Sequence, residues 1–372
     1  MSRTPGQKVS GTLAGASFEY VLGTTERRYG FGATVLKIRA VHTILKKLRD
    51  AHQDHGVDLV FLNSLSFYDM VPITRWARRH GVGTVQCYED ERMEIVSREK
   101  LGLARRIFGL NAWVSDRWCS RLADAIIVIS HYLKQKYDSL TGAPSKVYIV
   151  PTIIDCEDWR LPDESVSDSP RLLYTGSLTE HDEVEKVVEA LGSLKQRGLN
   201  SSLLILGADA SNPRTNALRN LIETLDLADR VELRGYVPVA IVKEELANAN
   251  VLLALRRDSI WAQSGQSTKV SEYLASGRLV ITTPVGDNSK YLRDGESALF
   301  VSSASNVEEI ARALELALRS PDLRRKIGAA GRHVAEMNFD QRVAQRRLTE
   351  IIEAVRRDSN TTEFQRNLAN QQ

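Results

Sequence analysis

The run Ser264-Gly265-Gln266-Ser267-Thr268-Lys269-Val270-Ser271-Glu272-Tyr273-Leu274-Ala275-Ser276-Gly277-Arg278-Leu279-Val280-Ile281 decides the reading of this chain. A Gly/Ser-rich loop opens a predicted helix at 267–276, and a strand follows at 278–282. The first-turn N–H groups and hydroxyls of such a helix suit a phosphate or sugar oxygen. Lys269 stands in that first turn, against the positive end of the helix dipole, and an anionic ligand would resolve the mismatch. Glu272 lies one turn beyond Thr268 and could accept hydrogen bonds from ribose hydroxyls. The alternative is an exposed Lys269–Glu272 i,i+3 pair with no ligand at all.

Outward from that run, helical and strand-like apolar patterns alternate. Val35, Ile38, Val41, Leu45 and Leu48 fall at helical spacing, and residues 57–62 read as a strand. A helix at 68–80, strands at 84–87 and 125–129, a helix at 131–137 capped by Ser130, and a strand at 146–150 come next. The segment 156–170, with two prolines and little apolar periodicity, reads as a linker. A second series places strands at 171–175, 202–206, 230–234, 250–255, 278–282 and 298–301. Helices at 182–197, 214–226, 239–248, 306–319 and 321–337 lie between and after them. Strands alternating with helices predict two α/β domains with parallel sheets, 1–155 and 171–339, binding ligand in the cleft between them. A C-terminal helix at 340–357 and an Asn/Gln/Thr-rich, disordered tail at 358–372 complete the expected layout.

The 372 residues carry 50 Lys+Arg and 47 Asp+Glu, with 42% hydrophobic residues, which is ordinary globular usage and disfavours disorder, collagen and coiled coil. Charge is uneven: residues 1–155 hold 22 basic and 15 acidic side chains (+7), the remainder 28 and 32 (−4). The balance is too mild for nucleic-acid binding, but a basic half could face an anionic membrane or a phosphorylated acceptor. Apolar runs such as 125–129 are too short to span a bilayer and no secretory signal is visible, so a soluble, cytoplasmic protein is expected. Cys87, Cys119 and Cys156 stand far apart and are expected to be reduced thiols.

Several chemistries lack their motifs. There is no GxGxxG, no GxxxxGK[ST], no GxSxG and no Asp-x-Asp pair, which disfavours a nicotinamide site, a P-loop, a serine hydrolase and a metal-bridged sugar transferase. No metal and no cofactor are expected. His52 and His55 read as solvated surface residues. The cluster Glu89-Asp90-Glu91 follows a predicted strand, where α/β ligand sites form, and a solvated acidic turn is the competing reading. Between Arg98 and Arg121, basic residues interleave with Leu101, Ile107, Phe108, Leu110, Trp113 and Trp118. That composition suits either an interfacial helix on an anionic leaflet or a helix packed on the N-terminal domain with a basic outer face.

The opening stretch resembles the donor-binding segment of the family 4 retaining glycosyltransferases of GT-B fold, in the polysaccharide-assembling version Thr-Lys-x-x-Glu-Tyr-Leu-Ala-x-Gly. Other stretches agree in order. Asp124–Ser130 with His131-Tyr132-Leu133 is similar to the last N-domain strand and helix, and Val150–Asp155 to the interdomain segment. Leu172–Leu178 resembles the first C-domain strand and its phosphate loop, and Val231–Val237 the base-binding turn. The resemblance implies two Rossmann-like domains with a cleft between them. It implies transfer of a sugar, with retention, from a UDP- or GDP-sugar to a glycan or lipid-linked acceptor, for cell-envelope polysaccharide and without metal. It assigns Glu272 to the donor ribose and the backbone at Gly235, Tyr236 and Val237 to the nucleobase. Lys269, Ser267 and Thr268 would face the diphosphate or donor sugar. Gly176 would admit the phosphates, with Ser177 beside it and Arg256 as a further phosphate partner. Glu89 is the candidate for contact with the acceptor or reacting sugar, and with Lys269 makes the catalytic pair.

Departures from the family pattern shape two rival expectations. Ser177 and Asp182 stand where members carry Arg and Lys, and Ser264 stands where the first of two glutamates eight apart would be. Arg256, Lys269 and His181 are the candidates to compensate. The usual opening strand–loop–helix is not visible before Val9–Tyr20, so a truncated start or a reduced N-domain is expected. A non-catalytic GT-B paralogue serving as partner or chaperone, and a sugar-nucleotide epimerase on the same architecture, are the alternatives.

Overall fold

The computed structural model describes residues 10–13, 16–19, 31–63, 67–91, 109–111, 113–162, 170–302 and 306–369. β1 (Ser10–Leu13) and β2 (Ala16–Glu19) pair as an antiparallel hairpin apart from the other sheets, and the helix Phe31–His55 follows. β3 (Leu59–Leu62), β4 (Gly83–Tyr88), β5 (Ala125–Val128) and β6 (Val147–Ile149) then form a parallel sheet in chain order. β5 is buried along its whole length, as a continuous Ala-Ile-Ile-Val run in a parallel sheet requires. Among the described residues no strand joins this sheet ahead of β3. Ser130 caps the helix His131–Thr141 by accepting the Leu133 N–H, as its position predicts.

The second sheet holds β7 (Arg171–Thr175), β8 (Ser202–Leu206), β9 (Val231–Arg234), β10 (Val251–Ala254), β11 (Leu279–Thr282) and β12 (Leu299–Phe300), all parallel, in the order β12-β11-β10-β7-β8-β9. Alternate strand residues feed opposite faces. Leu203 and Ile205 meet the helices Val184–Gln196 and Val307–Arg319, whereas Leu204 and Leu206 face Val239–Asn248 and Thr268–Ser276. The strand order reverses between β7 and β10, which places the ligand-binding switch point at the C-terminal ends of those two strands.

The two domains are stitched twice. Ile154 donates its N–H to Phe339 O at 2.9 Å, and Gln341 N–H returns a bond to Ile154 O at 2.8 Å. Beyond that crossing the last helix, Gln341–Ala369, leaves the second domain and covers the first. Ala344, Ile351 and Val355 join Val85, Ala125, Ile127 and Val150 in one apolar cluster. Gly83 is needed for this approach, because a Cβ there would stand 2.5 Å from Val355 Cγ1.

Four expectations are revised. The tail expected to be disordered from 358 is helical to Ala369, since no Gly or Pro interrupts 341–369 and an established helix extends at little cost per residue. The linker is split: Cys156, Trp159 and Leu161 pack on the second domain's core, and residues 163–169 lie outside the described residues. His52 is half-buried rather than solvated, with Nδ1 accepting the Val57 N–H at 3.1 Å and its ring edge-on to Trp76. Of the basic stretch, 92–108 and 112 lie outside the described residues, and Ser115–Cys119 is a π turn rather than a continuation of an α-helix. The three cysteines are free thiols.

Candidate active site

β7 delivers the first corner of the site. The chain leaves Thr175 into Gly176 at φ +132°, and Gly207 at φ +93° passes so close that a Cβ there would stand 2.6 Å from Gly176 O. The Thr268–Ser276 helix is pinned to this strand end from within: Thr175 N–H donates to the Tyr273 hydroxyl at 2.7 Å, and the two hydroxyls share a second bond at 2.9 Å. Its N-terminus therefore meets the β7 turn.

Lys269 turns back over that turn instead of pairing with Glu272. Its ammonium donates to the Tyr174 hydroxyl and to Asp182 Oδ1, each at 3.0 Å, and lies 4.2 Å from the centre of the Tyr174 ring. A Cβ on Gly176 would stand 3.1 Å from it, so glycine is what lets the charge reach the loop backbone. Burial works to raise the Asp182 carboxyl, but the Lys269 ammonium and the Thr179 hydroxyl outweigh it and hold the group below its usual range. The acid at 182 is thus met by a lysine from the facing helix.

Ser177 and Tyr236 are joined, hydroxyl to hydroxyl, at 3.1 Å, so the turn after β7 and the turn after β9 meet. The Tyr236 side chain is 70% exposed, and Gly207 N–H donates to Gly235 O, which brings Gly235, Tyr236 and Val237 to the same end of the sheet as Gly176. Arg256 follows β10 across the switch point. Its backbone bridges Asp182, and its side chain borders a small hollow with Gly265, Gln266, Ser267, Asp287 and Asn288. Ser267 is the N-cap residue, its hydroxyl making no cap bond, and Thr268 is exposed. Glu272, half-buried on the helix, has its carboxyl pushed up to about 7 by burial, with Lys243 and Lys269 opposing. His181 is buried against Trp261, its ring 5.1 Å away, with Nε2 3.7 Å from a Glu180 carboxylate oxygen.

A cavity of about 550 Å³ opens between the domains. Glu89 and Asp90 reach it from the end of β4, and Gln266 and Thr268 from the second domain; Phe61, Ile127 and Ile153 supply apolar wall. Asn63 donates to Glu89 Oε1 at 3.4 Å, which keeps Glu89 on the first domain's side. Lys269, paired with Tyr174 and Asp182, is not among the residues that line this cavity, so the structure does not bring the two candidate catalytic residues together in it. Cys87 borders the same cavity, but burial and the Glu89 carboxylate push its thiol up to about 11, so it is no thiolate nucleophile. Among the described residues no group of three or more His, Cys, Asp or Glu side chains is arranged to hold a metal ion. Another hollow, of about 280 Å³, sits at the opposite end of the second sheet beside Arg171 and Arg230, away from these groups.

The residues that sequence patterning missed are those that act through tertiary contact. No role attaches to Tyr273, Tyr174 or Gln266 in the sequence, yet Tyr273 anchors the helix and Gln266 accepts the Thr152 N–H across the cleft at 2.9 Å. Tyr273 and Tyr174 stand inside stretches that carry the resemblance, but nothing local says what either side chain, or Gln266, touches.

Two parallel α/β domains facing each other over a cleft, with a helix N-terminus and a lysine at the second domain's switch point, define a GT-B glycosyltransferase. The family described as "Glycosyl transferases group 1" matches residues 156–334, and the "Glycosyl transferase 4-like domain" matches 14–152. The chain belongs to these glycosyltransferases. It is 24% identical over 237 residues to WcaL of Salmonella typhimurium, named as a colanic acid biosynthesis glycosyltransferase, covering 63% of this chain and 58% of that one. It is 23% identical over 242 residues to a GDP-mannose-dependent α-(1-6)-phosphatidylinositol monomannoside mannosyltransferase of Mycolicibacterium smegmatis, covering 62% of each. The chain thus spans about three-fifths of the length of these relatives. Among solved structures, a Rickettsia africae glycosyltransferase superposes with a TM-score of 0.66 at 15% identity, over 89% of this chain and 84% of that one. Anabaena Alr3699/HepE in complex with UDP and glucose gives 0.65 at 14%, over 88% and 84%. At such identity these two show the fold alone.

Proposed function

We propose that the chain transfers a sugar, with retention, from a UDP- or GDP-sugar to a glycan or lipid-linked acceptor in envelope polysaccharide assembly. The observation that carries this reading is the Lys269 ammonium at the Gly176 turn, where the helix N-terminus and the β7–β10 switch point converge. Charge that develops on a leaving diphosphate would be met there by Lys269, by Arg256 and by backbone N–H groups, with no reorganisation at the moment of bond breaking. Ser267 and Thr268 would hold phosphate or sugar oxygens, Glu272 the ribose, and the Gly235–Val237 backbone the base, with Tyr236 beside it. Glu89 would meet the acceptor from the opposite wall. The relatives' names, a colanic acid glycosyltransferase and a GDP-mannose-dependent mannosyltransferase, support donor and pathway class.

The test is a thermal-shift and saturation-transfer NMR screen against UDP- and GDP-sugars. Stabilisation by one of them, with slow donor hydrolysis that keeps the anomeric configuration, is expected; no binding to any nucleotide refutes the reading. One observation favours a second reading, a non-catalytic partner of an active transferase. Asp182 already neutralises Lys269 at 3.0 Å, leaving less free positive charge for a diphosphate. That reading predicts no nucleotide binding and capture of a second GT-B chain.

We also propose a peripheral site on the inner face of a membrane. No helix among the described residues is long and apolar enough to cross one, but Leu110, Trp113 and Trp118 are exposed beside Arg117 and Arg121. Co-sedimentation with phosphatidylglycerol vesicles, abolished by Trp113→Ala with Trp118→Ala, is the expected result.

A further inference from the structure

Ser264, where the resemblance leads one to expect a glutamate, lies in a seam between the two domains. Ser264 is fully buried: its hydroxyl accepts the Glu91 N–H at 3.3 Å, and its carbonyl accepts the Ser130 hydroxyl at 2.6 Å. Fully buried and hydrogen-bonded on both sides, Ser264 takes part in the seam between the domains. The seam seats the loop after β4 directly on the loop that opens the donor helix. Its middle residue, Asp90, comes down over Gly265, where a Cβ would stand 3.7 Å from Asp90 Oδ1. Asp90, Gln266 and Thr268 border one interdomain cavity from both sides.

The loop is held from behind as well. Glu91, buried next to Asp90, pairs with Lys136 at 2.8 Å, and the same ammonium pairs with Asp116 at 2.7 Å. The Tyr137 hydroxyl donates to Asp116 at 2.9 Å, and the Tyr137 ring stacks on Tyr88, the last residue of β4, with centres 4.0 Å apart. Lys136 therefore fixes the loop that carries Asp90 without touching the cavity.

We infer that Asp90, supplied from the first domain, is the carboxylate that hydrogen-bonds the hydroxyls of the transferred sugar, in place of the side chain missing at 264. Lys136 is its positioning residue. The inference rests on the sugar-nucleotide reading above. The Asp90 carboxylate lies by Gly265, on the loop that opens the donor helix, and borders the interdomain cavity with Gln266 and Thr268, which would put it within reach of a sugar carried on a diphosphate bound at that helix N-terminus. An ionised acceptor is suited to sugar hydroxyls because each bond to it is charge-assisted.

The test is calorimetric titration of the wild type, Asp90→Asn, Asp90→Glu and Lys136→Met with UDP-glucose, UDP-N-acetylglucosamine, GDP-mannose, UDP and GDP. For whichever sugar nucleotide the wild type binds, Asp90→Asn is expected to weaken it about ten- to a hundredfold while affinity for the bare nucleotide stays within about twofold. Asp90→Glu should restore part of the loss. Lys136→Met should weaken the same sugar nucleotide in the same direction, again sparing the nucleotide. Equal losses for sugar nucleotide and nucleotide, or no loss in Asp90→Asn, overturn the inference and leave the transferase reading standing. A wild type that binds none of the five ligands overturns both.

Discussion

Glu272 makes donor binding a function of pH, and the size of the effect follows from its burial. In water a glutamate carboxyl ionises near 4.5, whereas on the Thr268–Ser276 helix burial pushes it up to about 7. Ribose hydroxyls need the ionised form as acceptor, so apparent affinity scales with the ionised fraction of the free protein. That fraction is about one in eleven at a pH one unit below the pKa and about ten in eleven one unit above it. The dissociation constant of the bound sugar nucleotide should therefore fall about tenfold between roughly pH 6 and pH 8, then level off. Linkage gives the opposite sign for the free protein: the unfolded chain releases this proton first, so stability declines as pH rises from about 4.5 to about 7. Bound donor offsets that decline. Titration should use an intact sugar nucleotide, whose diphosphate is a diester and does not ionise in this range, unlike the terminal phosphate of UDP or GDP. Glu272→Gln should flatten the profile. If the variant keeps the wild-type slope, the carboxyl is not the titrating group and the ribose assignment fails.

Three further outcomes follow from the packing. Lys269→Met should cost about 3 kcal/mol of stability in urea unfolding, because it strands the buried Asp182 carboxylate; adding Asp182→Asn should recover most of that stability but not nucleotide binding. Tyr273→Phe removes the acceptor for Thr175 N–H inside the second core, and should lower stability by about 1–3 kcal/mol in the same assay. Gly83→Ala drives a methyl against Val355 and Leu59 and should cost about 1–3 kcal/mol, with Gly83→Ala/Val355→Ala largely relieving the clash term.

Much of the architecture was legible because its signals are local and repeated. Buried parallel strands such as β5 and β10 are unbroken aliphatic runs, and Ser130 announces its helix by a hydroxyl at the N-cap. The donor helix could be placed from Gly265 to Ser276 by the same logic. What stayed hidden is set by partners far along the chain. Local spacing leaves Lys269 either facing a ligand or paired with Glu272, and only the turn at Gly176, 93 residues earlier, shows where its ammonium goes. His52 looked solvated because the ring that covers it, Trp76, belongs to the next helix. Asp182 and Ser264 read as losses relative to the family pattern; in three dimensions each is matched by a neighbour, Lys269 for one and the Glu91 backbone for the other. The polar composition of the C-terminal tail points to disorder, yet the tail holds no residue that stops a helix and continues the helix to Ala369.

The return of the last helix to the first domain has a consequence for the ribosome. Strands β3 to β6 emerge early, yet the apolar face formed by Val85, Ala125 and Ile127 finds Ala344, Ile351 and Val355 only after some two hundred further residues have been made. At about 5–20 residues per second, that face waits for ten seconds or more beside a nascent second domain that can already close its own sheet. The domain synthesised first is thus the one completed last. During that interval the strand face is exposed apolar surface of the kind that chaperones cover.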